Sequence, residues 1–215
     1  MKVLIAGAAG NTARRLVKRL IQNGHEVRGL VRKEQQCADL EKDGVEPVRV
    51  DLEADDTNAV AEAVAGCDAI VFAAGAGPGS GAARKETMDY GGAVKLIEAA
   101  EARGVRRYVM LSAIHVDDLE SASETMRPYL SAKARADERL RASDLDYTIV
   151  RPGSLTDETG SGKMQAATRL DMSGEIPRED VAEILATALE MKNTYGKTFE
   201  VLLGDIPIPL VLQQL

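Results

Sequence analysis

The sequence predicts an α/β domain: a doubly wound, mainly parallel sheet with helices on both faces and a small C-terminal lobe. Three observations carry that prediction. Short apolar runs alternate with helical stretches almost from end to end, the pattern that crossover-connected parallel strands require. Helical stretches stop at Gly24, Gly44, Gly66 and Gly104, where a glycine ends a helix at little steric cost. The chain also opens directly on a strand, turns on two glycines and enters a helix.

Taken in order, Val3, Leu4, Ile5 and Ala6 form an apolar run of the kind buried on both faces of a sheet. Leu16, Val17, Leu20 and Ile21 share one face of the helix that follows. Residues 26–31 read as the second strand, a polar helix runs on to Asp43, and residues 45–50 give the third strand. Val60, Ala61 and Val64 mark a helix over 56–65, and residues 69–73 are the fourth strand. A loop with glycines at 75, 77, 79 and 81 then leads into a helix over 86–103. Residues 108–111 and 147–150 are the fifth and sixth strands, with a helix over 127–142 between them. Residues 153–175 read as loop, 178–191 as helix and 198–203 as a last strand. Seven strands, parallel or nearly so, should reverse their order beside the first strand, with ligands outside the carboxyl ends there. No linker splits the chain, so a single domain is expected over 1–215, its substrate lobe spanning about 153–215.

The 215 residues, 45% of them hydrophobic and 28% charged, suffice for a substantial core. A net charge of −7 without any basic run argues against a nucleic-acid partner. No signal peptide and no apolar run of ~20 residues is seen, so a cytoplasmic protein with no membrane partner is expected. Cys37, Cys67, His25 and His115 lack metal-ligand spacing, which implies reduced thiols and no metal site. Nothing in the sequence assigns an oligomeric state. Gly160-Ser161-Gly162-Lys163-Met164 imitates a phosphate loop but has Asp157 where glycine is needed and Met164 where a hydroxyl is needed.

The opening turn is the strongest functional signal. Gly7 permits the tight turn, Gly10 lets the backbone approach a pyrophosphate, and the small Ala13 lets helix and strand pack closely. Gly7, Gly10, Asn11, Thr12 and Ala13 thus surround a helix N-terminus whose amides and dipole favour an anion. The spacing, G-x-x-G-x-x-A, points to a dinucleotide. At the end of the second strand an NAD site usually offers a carboxylate to the ribose 2′-hydroxyl. Arg32 stands there instead, followed by Lys33. A guanidinium suits a 2′-phosphate, so NADP (NADPH) is the expected cofactor. Asp51-Leu52, closing the third strand, either receives the adenine amine and covers the ring or simply turns the chain.

A second constellation lies after the fifth strand. Tyr129 and Lys133 are four residues apart on one helix face. A nearby cation lowers a tyrosine pKa and suits it to proton transfer, and the lysine can also hold ribose hydroxyls. Ser112, at the end of the fifth strand, is a candidate donor to a substrate carbonyl. A Tyr-x-x-x-Lys pair alone is weak; the plain alternative is a strand-end hydroxyl and a half-buried tyrosine.

With these residues in view, the chain resembles the atypical, extended-like short-chain dehydrogenase/reductases, NAD(P)-binding Rossmann proteins with epimerase/dehydratase-like members. The resemblance runs from the Gly7-x-x-Gly10-x-x-Ala13 turn through Asp51-Leu52, Ala73-Ala74-Gly75, Ser112 and Tyr129-x-x-x-Lys133. It continues through Arg151-Pro152-Gly153 and Ile176-Pro177-Arg178-Glu179-Asp180 to the last strand. It implies that Ala73, Ala74 and Gly75 border the cofactor ribose and that Pro152 and Gly153 border the nicotinamide. It also implies a catalytic tetrad whose usual asparagine is replaced here by Asp89. An amide can pass a hydrogen bond through water to the lysine, whereas a carboxylate instead pins it. Two functions follow: an NADP-dependent reductase or epimerase-like enzyme of a small carbonyl or alcohol, or a protein that binds NADP as a redox sensor without turnover.

Overall fold

The computed structural model describes residues 1–77 and 79–215. Seven parallel strands form the body of one sheet: β1 (Lys2–Ala6), β2 (Glu26–Val31), β3 (Glu46–Arg49), β4 (Ala69–Phe72), β5 (Arg107–Leu111), β6 (Asp146–Pro152) and, later in the chain, β10 (Lys197–Leu203). Their order is β3-β2-β1-β4-β5-β6-β10. The order reverses between β1 and β4, so a crevice opens at the carboxyl ends of these two strands.

Helices cover both faces. On one lie α1 (Asn11–Gln22), α2 (Glu34–Lys42) and α7 (Arg178–Glu190), which pack Leu16, Leu20, Leu40, Val181 and Leu185 against Val3, Ile5 and Val109. On the other lie α3 (Thr57–Val64), α5 (Ala93–Arg103) and α6 (Arg127–Arg141), which pack Val60, Leu96, Ile97 and Leu140 against Leu4, Ile70 and Met110. Alternate residues of one strand thus serve opposite cores, which is why the central strands are apolar throughout. No helix among the described residues is long and apolar enough to cross a membrane.

Two expectations need correction. Residues 153–175 are not simply loop: they hold β7 (Ser154–Thr156), β8 (Lys163–Ala167) and the start of β9 (Glu175–Pro177). β8 pairs antiparallel with β10, and β11 (Ile206–Pro207) pairs antiparallel with β8, while β7 and β9 form a separate parallel pair. Met164 alone is fully buried in β8, so the strand leaves no apolar run to read. The helix expected over 86–103 is compound. It starts as α4 (Ala82–Arg84), widens into a π-helical stretch over Lys85–Gly92 and tightens into α5. The Gly160–Gly162 segment is a loop tied to the Asp180 carboxylate through the Ser161 and Gly162 amides, as befits a false phosphate loop.

Candidate cofactor site

The turn after β1 is shaped for a ligand by two glycines with different duties. Gly7 has φ +78°, and a Cβ there would lie 2.7 Å from the Ala74 backbone. Only glycine fits that turn. Gly10 has an ordinary extended conformation, and its Cβ would meet only the Gly7 carbonyl, at 3.1 Å. The space in front of Gly10 is therefore open, beside a helix whose first turn has no side-chain cap. The uncapped amides of that turn supply the donors an anion needs.

A cavity of about 290 Å³ begins here. It is lined by Gly7, Gly10, Arg32, Asp51, Leu52, Ala73, Ala74 and Gly75, eight of the residues singled out from the sequence. Gln36, Arg84 and Met88 also line it and had no local signal. Asn11, Thr12 and Ala13 open α1 and do not line the cavity; Asn11 is exposed, Thr12 is buried, and Ala13 is buried against the core. The Asp51 carboxylate accepts from the Glu53 amide at 2.9 Å, so it also turns the chain out of β3.

At the rim, Glu53 gathers charged partners. Its Oε2 accepts from Arg84 Nε and Nη2 at 3.1 Å each, its Oε1 accepts from the Thr87 hydroxyl at 2.6 Å, and Arg32 Nη1 lies 3.7 Å from Oε2. Burial works to raise the Glu53 carboxyl, but the bonds from Thr87 and Arg84 and the two guanidinium charges outweigh it, and its pKa is lowered.

The tyrosine-lysine face has a different character. Lys133 is buried; its Nζ donates to the Leu111 carbonyl at 3.0 Å and lies 3.7 Å from Asp89 Oδ1, an ion pair too long for a hydrogen bond. The other Asp89 oxygen accepts from the Ala76 amide at 3.1 Å. The π-helical stretch carries Asp89 to this position, and a Cβ on Gly75 would stand 2.9 Å from its Oδ1. Asp89 thus faces the lysine as a charge partner, although its Oδ1 makes no hydrogen bond. Burial lowers the Lys133 pKa, opposed by the Asp89 and Asp137 charges.

Tyr129 departs from expectation. Its ring centroid is 6.0 Å from Lys133 Nζ and 5.1 Å from Lys85 Nζ, yet its pKa is raised, first by burial and then by the Asp89 and Asp137 charges. Burial and the two nearby carboxylates thus outweigh the lysine at the phenol. Ser112 is 4% exposed and its hydroxyl has no well-formed hydrogen bond; Asp137 is among its polar neighbours. It faces α6 rather than the described cavity. Pro152 and Gly153 are buried at the end of β6, where a Cβ on Gly153 would stand 2.4 Å from the Gly174 carbonyl. Protein contacts alone therefore fix that glycine.

The family model for NAD(P)H-binding proteins matches residues 7–192. The chain belongs to this NAD(P)H-binding family. A sugar epimerase of Bacillus subtilis (strain 168), itself uncharacterized, is 43% identical over 216 residues, covering 100% of both chains. A solved structure from Bacillus halodurans, itself only provisionally assigned as an NAD-dependent epimerase/dehydratase, superposes with a TM-score of 0.94 at 43% identity, covering 100% of each chain. The oxidoreductase ylbE of Lactococcus lactis gives a TM-score of 0.87 at 28% identity, covering 100% of this chain and 96% of that one. These are Rossmann proteins of the oxidoreductase and epimerase-like type, and the present fold is theirs.

The NAD(P)H-binding turn of this family fits the residues present. The open space at Gly10 is where a side chain would intrude on a pyrophosphate, and the uncapped α1 amides surround it. Asp51 and Leu52 wall the same cavity.

Proposed function

We propose that the protein is an NADP(H)-dependent oxidoreductase or epimerase-like enzyme acting on a small carbonyl or alcohol. The observation that carries the cofactor choice is Arg32 at the cavity wall where β2 ends, with no carboxylate on that strand end. Gly10 and the α1 amides would hold the pyrophosphate, Asp51 and Leu52 the adenine, and Ala73 to Gly75 the ribose side. When bound, the nicotinamide supplies or accepts the hydride. Lys133 retains a donor beyond those directed at Leu111 and Asp89, free for a ribose hydroxyl. Tyr129, with its pKa raised, keeps its proton at neutral pH and is suited to donate it to a developing alkoxide. The segment from Gly153 onward would enclose the substrate, and the substrate would be a small molecule rather than nucleic acid.

Titrating NADPH and NADH into wild type and Arg32→Ala tests the cofactor choice. Loss of a charge-assisted bond should weaken NADPH by about 1.5–3 kcal/mol, roughly ten-fold or more. Equal wild-type affinities would overturn the NADP reading. Tyr129→Phe tests the chemistry: carbonyl reduction should fall about 10²–10⁴-fold while NADPH affinity survives. The alkaline limb of the reduction profile should lie above pH ~10, because a raised phenol keeps its proton. The non-catalytic sensor is favoured by one observation, the pairing of Lys133 with Asp89. It predicts that no carbonyl in a broad panel oxidises bound NADPH.

A further inference from the structure

Arg32 is not alone at the wall of the cavity. Arg84 reaches the same cavity from α4. Its guanidinium is oriented from both ends. Nε and Nη2 donate to Glu53, and Nη1 donates to the Ala76 carbonyl at 3.3 Å. Arg32 by contrast has only the 3.7 Å ion pair with the same Glu53 oxygen, and its side chain is 43% exposed. Two guanidiniums therefore share one carboxylate beside the place where the ribose would sit. With Asp51 also lining the cavity, the two cations are matched by two carboxylates, and one Glu53 oxygen is the partner that both guanidiniums share.

We propose that Arg84 is a second recognition group for a ribose 2′-phosphate and that Glu53 is the counter-charge setting the preference for phosphorylated over unphosphorylated dinucleotide. This rests on the NADP(H) reading above. The chemistry works in opposite directions on the two ligands. A phosphate monoester matches planar guanidinium donors and is repelled by the carboxylate. A free 2′-hydroxyl can instead donate to a carboxylate. Removing Arg84 should therefore disfavour the phosphate selectively, and neutralising Glu53 should favour it selectively.

Adenosine 2′,5′-bisphosphate and AMP are suitable probes, since they differ only at the 2′ position and lack the nicotinamide. Their dissociation constants are measured by calorimetry on the full chain, for wild type, Arg84→Ala and Glu53→Gln. Arg84→Ala should weaken the bisphosphate by about ten-fold and leave AMP within about two-fold, a loss of one charge-assisted pair. Glu53→Gln should widen the bisphosphate-to-AMP preference by about three-fold or more, as expected for removal of one like charge near the phosphate. Retained AMP binding shows that each variant is folded. Equal weakening of both probes in Arg84→Ala, or no effect on either, overturns the assignment of Arg84. A preference that narrows or stays fixed in Glu53→Gln overturns the counter-charge role. A wild type that binds both probes alike sinks the NADP(H) reading, while the shift of the ratio in Arg84→Ala still decides the present proposal.

Discussion

The cavity beside the β1 turn and the region behind the ends of β5 and β6 solve opposite problems. The first is built from glycine and alanine around open space, with its charges on a half-exposed rim. The second is filled. Lys133, Asp89, Asp137 and Arg151 are all buried there, and each pairs with another group of the protein. Arg151 Nε lies 2.9 Å from Asp137 on α6, and its two other nitrogens grip Asp117 in the loop after β5. Space that is kept open costs little stability and admits a ligand. Charge that is buried must be matched internally, and it fixes the positions of the elements that carry it.

The largest expected effect separates two glycines of the same turn. Gly10→Val should leave the fold largely intact, because its Cβ meets a single atom, the Gly7 carbonyl oxygen, at a tight 3.1 Å that a small shift relieves, and its φ suits any residue. It should nevertheless abolish NADPH binding in calorimetry, because the side chain enters the phosphate space. Gly7→Val should damage both properties, since it combines a positive φ with a 2.7 Å collision against Ala74. If Gly10→Val binds normally, the phosphate site lies elsewhere.

The filled region should fail through stability. Arg151→Met leaves Asp137, 0% exposed, without its guanidinium. Removing one partner of a buried pair costs about 3–5 kcal/mol, to be read from urea unfolding at neutral pH. The pH dependence has a definite sign. Asp137 already has a raised pKa in the folded protein, chiefly through burial and despite Arg151. Without Arg151 it would rise further, so the folded state would bind more protons than the unfolded state above pH ~4. The variant should therefore lose stability as pH rises from ~4 and recover part of its deficit in acid. A deficit independent of pH would mean that packing, not the unpaired carboxylate, dominates.

The same contrast explains what was legible in the sequence. β1, Gly7, Gly10 and the amphipathic α1 are local: chirality, small size and helical period act within a few residues, and all were readable. So were the seven parallel strands and the reversal beside β1, because strands buried on both faces must be apolar. β8 was missed because its pairing partner, β10, lies across α7 in sequence and only Met164 is buried deeply. Arg84 and Glu53 were missed for a related reason. They look like ordinary surface charges until the fold brings the loop after β3 to α4. The raised pKa of Tyr129 was also illegible, because residue spacing shows that a lysine is near but not the burial and the Asp89 and Asp137 charges that oppose the phenolate.

The smallest effect tests how far the filled region intrudes on chemistry. Asp89→Asn keeps the size of the side chain and removes the charge that pairs with Lys133 at 3.7 Å. The amide oxygen can still accept from Ala76, but its NH₂ would then face the ammonium, a donor against a donor. The variant should lose about 1–3 kcal/mol of stability, the cost of leaving a buried group without its acceptor. Lys133 should also drop further in pKa, because one of the charges opposing its desolvation is gone. NADPH affinity should change little, since Asp89 does not line the cavity. If the carboxylate serves only to anchor the lysine, turnover should persist or rise once the lysine is released toward the tyrosine. Loss of turnover at unchanged NADPH affinity would instead make Asp89 a positioning residue for the proton transfer, and the open and filled regions would then be coupled through Lys133.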